Sequence, residues 1–167
     1  AIVLGVGLNW AWGRKVAITD MPQMVALFNG MGGGSAAAIG AVELLRVNGG
    51  AAEASPLHIG LAVVGALIGA VSLTGSIIAW AKLDGRMDKR YTFPGQQAFN
   101  ALVFLAAVVL GAAAVYALTL SGFIAPDATA LAIVAFFAAA LALGVLMTLP
   151  IGGADMPVVI SLYNAFT

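Results

Sequence analysis

The sequence predicts an all-α protein, a polytopic bundle of transmembrane helices. Charged residues make up 8% of the 167-residue chain and hydrophobic residues 62%, whereas soluble domains carry about 25% charged residues. Mean hydropathy is +1.06. Several apolar runs reach the roughly 20 residues needed to cross a hydrocarbon core. These runs are apolar on every side, unlike the alternating stretches of about 10 residues in a transmembrane barrel.

Six segments follow, about six helices with the first and last truncated. The first is Ala1 to Trp12, read as the tail of a longer span. The second runs from about Thr19 to Leu45; it opens on Asp20, with Pro22 in the first turn, where a proline costs no hydrogen bond. The third runs from about Pro56 to Ala81, the fourth from Gln96 to Leu120 and the fifth from Asp127 to Leu149. The sixth begins near Asp155 and stops soon after. Helix is the state for each, because lipid offers a bare backbone no partners. With no initiating Met and an end inside an apolar run, the chain reads as one membrane domain, 1–167, of a larger subunit.

Basic residues set the orientation. Arg14 and Lys15 precede the second segment, and Lys82, Arg86, Lys89 and Arg90 follow the third; only Arg46 falls on the other side. The ends at 13–20, 82–95 and 150–157 are therefore expected in the cytoplasm, and those at 46–55 and 121–127 outside. Zero net charge and no basic block give no reason to expect nucleic acid, and the absence of cysteine leaves redox compartment undetermined.

One polar-tipped phrase occurs twice. DMPQMVALFNG covers Asp20 to Gly30, and DMPVVISLYNA covers Asp155 to Ala165. Four crossings separate them, so both helices enter from the same side. Each Asp is placed to cap its helix. Each Asn lies nine residues on, about 13 Å deeper at 1.5 Å per residue, near the middle of a core about 30 Å thick. An Asn at that depth bonds to another helix or lines a wet cavity. Asn29 and Asn164 are therefore candidates for a shared polar layer, against the plainer reading of interhelical glue.

The remaining polar positions are fewer. Ser72, Thr74 and Ser76 lie in the third segment, and hydroxyls there are expected to bond back to their own turn. His58 reads as interfacial, and Glu43 as reaching the headgroups. GMGGGS, Gly30 to Ser35, lacks the lysine and the preceding strand of a phosphate loop. Its glycines, with GxxxG spacing at Gly30/Gly34 and again at Gly65/Gly69, instead predict close helix packing, and a weak point just past Asn29. Metal-ligand clusters, nucleophilic triads and paired carboxylates are absent from the sequence pattern. A polar layer without an organic-substrate cage suits proton conduction.

Three phrases in order, TDMPQMVALFNGMGGG, GALIGAVSLTGSIIAWAKLDG with FPGQQAFNAL, and GVLMTLPIGGADMPVVISLYNAF, closely resemble the membrane-spanning domain of the proton-translocating NAD(P) transhydrogenase β subunit. The resemblance covers about Trp10 to Thr167. It implies a bacterial inner-membrane domain that couples proton movement to hydride transfer from NADH to NADP⁺. NAD(H) and NADP(H) would be bound by soluble domains elsewhere, on the α subunit and after the β membrane domain, in a dimeric complex. Relatives commonly carry a protonatable His where this chain has Asn29, and some place it on a partner-subunit helix. Asn29 would thus mark the channel while the α subunit supplies the titrating His. Asn164 and, less directly, Ser76 match channel-lining positions. Asp155 matches the Asp at the cytoplasmic mouth; Asp20 has the same local chemistry. Rival readings are a secondary transporter built from parallel repeats, with similarity spreading around each phrase, an ion-channel subunit with a central polar layer, or a scaffold subunit whose polar layer only packs.

Overall fold

In the computed structural model, described for residues 2–87, 89–120 and 125–166, every regular element is helical. The order is α1 (Ile2–Gly13), α2 (Met21–Asn48), α3 (Pro56–Leu83), α4 (Gln96–Thr119), α5 (Pro126–Thr148) and α6 (Met156–Phe166). Short 3₁₀ turns at Ile18–Asp20 and Gly153–Asp155 lead into α2 and α6. Helices α2 to α5 are each long and apolar enough to cross a bilayer. The outer connection expected at 121–127 falls largely on residues outside the described set.

Helix α3 is the hub. It packs along α2, against α5, and more lightly on α4 and α6. Its contact with α2 is close because glycines face each other. A Cβ on Gly33 would lie 2.9 Å from the Gly69 carbonyl oxygen, and one on Gly69 would lie 2.5 Å from that of Gly33. Gly40 continues the seam against Ala66. Small residues let helices approach until their backbones touch, which in lipid is the principal source of packing energy. The spacing pairs anticipated this seam only in part. Gly65 meets nothing within 4 Å, and Gly33 makes a closer contact than Gly30 or Gly34. Nor does the cluster break the helix, since α2 is continuous through all 28 residues; the α3 backbone packed beside Gly33 supports the weak stretch.

Three inter-helix connections gather at one end of the bundle. Gln23 donates to the Leu83 carbonyl at 3.2 Å, and the Tyr91 amide to that of Leu149 at 3.3 Å. Arg90 pairs with Asp155 at 3.2 Å. Ala26, Ala79, Met156 and Ile160 form a buried cluster there, so the starts of α2 and α6 both pack on the last turns of α3. At the opposite end Asn48 donates to the Pro126 carbonyl at 3.1 Å. His58 and Glu43, read separately as interfacial, there face each other at 3.0 Å. Helix α1 buries none of its residues.

Candidate functional site

The polar layer forms around Asn29. Its side chain is 6% exposed and donates to Ser72 Oγ at 3.1 Å and Ser76 Oγ at 2.8 Å. Ser72 and Ser76 are one turn apart on α3, so both hydroxyls face the same neighbour. Both are buried. The expectation that these hydroxyls would serve only their own turn is therefore corrected: the glycine seam brings α2 near enough for them to accept from Asn29. Thr74, on another face, does bond back to the Ala70 carbonyl at 3.2 Å, and also bridges to that of Leu141 at 2.8 Å.

Asn164 joins the same region without sharing that clamp. It lines a cavity of about 320 Å³ together with Val25, Phe28, Asn29 and Gly32. The asparagine itself is exposed. The two asparagines thus face one cleft between α2 and α6, one fixed to α3 and one at the open wall. On the far side of Ser72, a larger cavity of about 570 Å³ runs beside Tyr163 and Asn100; apart from these its walls are mainly apolar.

Tyr163, next to Asn164 in sequence, is buried and reaches α5: its hydroxyl lies 2.8 Å from Thr148 Oγ1. Its ring presses on Gly75, where a Cβ would fall 2.6 Å from the ring. The Tyr163 ring therefore fixes how α6 sits on α3, one residue from Ser76.

The acid before α2 departs from the capping expectation. Asp20 makes no side-chain cap bond to α2. A 3₁₀ turn precedes the helix and leaves Asp20 at φ −97°, ψ −2°, away from the extended backbone that aims a capping carboxylate at free N–H groups. Its Oδ1 instead accepts from Thr19 Oγ1 at 3.3 Å. Asp155 ends the equivalent turn, and its Oδ2 accepts from Arg90. Both partners are largely exposed, so the pair ties two loops through a contact open to solvent and to anything docking there.

Lys82 is expected among the charges that orient the chain and at the start of the cytoplasmic loop, Lys82–Arg90, that a nucleotide domain would move against. It is buried, 5% exposed, and its ammonium donates to the carbonyls of Thr148, Leu149 and Ile151. It lies inside the last turn of α3, one residue before Leu83 and past the expected end of the segment at Ala81. Among the described residues, clusters of three or more His, Cys, Asp or Glu fit to hold a metal are absent.

A family model of the NAD(P) transhydrogenase beta subunit matches residues 1–167. Curated NAD(P) transhydrogenase beta subunits of Rhodospirillum rubrum are 37% identical over 172 aligned residues, covering 100% of this chain and 35% of theirs. The chain thus spans about a third of the length of these relatives. With its helices, its apolar spans and a match over the full length, the chain belongs to the NAD(P) transhydrogenase beta-subunit family.

Proposed function

We propose that this chain is the proton-conducting part of the membrane domain of a proton-translocating NAD(P) transhydrogenase. It serves hydride transfer from NADH to NADP⁺ carried out by soluble domains elsewhere in the complex. The observation that carries the reading is the pairing of Asn29 and Asn164 on one cleft, with Asn29 held by Ser72 and Ser76. Amide and hydroxyl groups both donate and accept, so they can support a chain of waters across the apolar core. Neither titrates at physiological pH. The proton carrier is then a His on a helix of the α subunit, since imidazole charges and discharges near neutral pH.

The hydride chemistry belongs to the nucleotides. NAD(H) is bound by the α side and NADP(H) by a domain of the β subunit, in a dimeric complex of the bacterial inner membrane. The end of the bundle carrying 13–20, 82–95 and 150–157 faces the cytoplasm. There the exposed pair of Asp155 and Arg90, with Asp20 at the same end of the bundle, meets the NADP(H) domain. A change of redox state moves that domain against the loops and alters which side of the membrane reaches the cleft. The family match and the basic residues at this end support the arrangement.

The test is made on the whole complex in liposomes. Asn29→Leu and Asn164→Leu are each expected to lower proton-coupled hydride transfer by about 10²-fold. Rates and proton uptake equal to the unmodified complex in both variants would defeat the channel assignment.

A further inference from the structure

Lys82 does more than mark the cytoplasmic side. An ammonium has three donors, and the three carbonyls on Lys82 come from one short stretch, Thr148, Leu149 and Ile151. Thr148 and Leu149 close α5, where the last carbonyls lack helical partners and the helix dipole is negative. Ile151 lies in the turn that leads to α6. These partners are main-chain atoms, so Lys82 fixes the position of a backbone turn. The charged neighbours on that turn are Arg90, which packs on Gly152, and Asp155, which Arg90 pairs with.

A continuous set of contacts leads inward from this turn. Thr148 meets the Tyr163 hydroxyl at 2.8 Å. The Tyr163 ring rests on Gly75. Ser76 follows Gly75 and accepts from Asn29 at 2.8 Å. Lys82 and Ser76 are six residues apart on the same helix, so the turn, through Lys82, and α6, through Tyr163 on Gly75, are held by one short stretch of α3.

We propose that Lys82 is a positioning residue, a latch that holds the α5–α6 turn against α3. Through the Thr148–Tyr163 bond it sets the seat of α6 beside the Asn29 cluster. A push on the 150–157 turn from the cytoplasmic side is thereby passed to the cleft. This inference rests on the proton-channel reading.

The test measures protons moved per hydride, with kcat and KM for the nucleotides, in the reconstituted complex. Lys82→Met keeps the stem and removes the donors. Lys82→Arg keeps the charge but spreads its donors over a planar fork that cannot converge on three carbonyls. Tyr163→Phe keeps the ring on Gly75 and removes the hydroxyl that meets Thr148. Lys82→Met is expected to lower the proton-to-hydride ratio by about threefold or more, and Tyr163→Phe by about twofold. Lys82→Arg falls between Lys82→Met and the unmodified complex, and the nucleotide KM values stay unchanged. A wild-type ratio in Lys82→Met and Tyr163→Phe, with pumping lost in Asn164→Leu, overturns the latch and leaves the channel reading standing. Intact pumping in both Asn29→Leu and Asn164→Leu overturns the channel reading and the latch with it. A fall in hydride and proton rates together at constant ratio also overturns the latch. Should Lys82→Met fail to assemble, Tyr163→Phe decides alone, an unchanged ratio counting against the latch.

Discussion

The repeated phrase is used twice in two different rotations. In the first copy the buried positions are Ala26, Asn29 and Gly30; in the second they are Met156, Ile160 and Tyr163. Counted from each Asp, the buried set shifts by one residue, from six and nine to five and eight. One residue is about 100° of turn in an α-helix. The same Asn therefore points at α3 in the first copy and toward the open cleft in the second. Neighbours decide the difference. The first copy continues into glycines that let α3 approach to backbone contact. The second meets α3 and α5 through a methionine, an isoleucine and a tyrosine. The same framework of Asp, Met, Pro, Leu and Asn thus produces one asparagine that is clamped and one that is presented.

Six substitutions would break or sharpen that contrast, all measured as stability of the purified complex in detergent. The largest effect is expected from Gly69→Val, because its Cβ would meet backbone atoms of Gly33 and Ala37 that cannot move aside. Parting the seam should cost about 3 kcal/mol or more, and a melting temperature near that of the parent would refute the backbone-contact description. Next comes the methionine of each copy. Met156→Ala, at a fully buried position, should cost about 2 kcal/mol through the cavity it leaves. Met21→Ala, 44% exposed, should cost within about 0.5 kcal/mol, and equal losses would show that the copies are not rotated. Third, Asn29→Leu removes two interhelical hydrogen bonds and should cost about 1 kcal/mol. Asn164→Leu should leave stability unchanged, so the two variants separate in stability while both losing proton coupling. The last is Arg90→Ala. Its ion pair with Asp155 is exposed on both sides, so the loss should stay below about 1 kcal/mol and shrink further in high salt.

The fold was readable because lipid leaves the backbone few choices, and apolar runs separated by short polar stretches locate the helices. Boundaries moved by a turn or less: α2 continues to Asn48, past Leu45, and α3 to Leu83, past Ala81. Asn29 and Asn164 stood out because an amide is costly at that depth, and their common cleft follows from two helices entering at the same end. The partners of Asn29 were harder. A serine in a helix can bond to its own turn or across to a neighbour, and only the glycine-set distance between α2 and α3 decides. Lys82 was missed for a related reason. Its partners are main-chain carbonyls, which every residue carries, so no side-chain pattern announces them. Asp155 and Arg90 lie 65 residues apart, and nothing local in either stretch points to the other. The capping reading of Asp20 failed on backbone geometry, since a 3₁₀ turn and a direct helix start share the same residues.

The glycine seam has a mechanical consequence. Two helices joined backbone to backbone have no side chains between them to reshuffle, so α2 and α3 behave as a door frame, with Asn29 screwed to it through Ser72 and Ser76. The wall that carries Asn164 is seated on that frame by Met156, Ile160 and a tyrosine ring, and on α5 by one hydroxyl contact. If access to the cleft alternates, the leaf that swings is α6, and the hinge is the turn at 149–155.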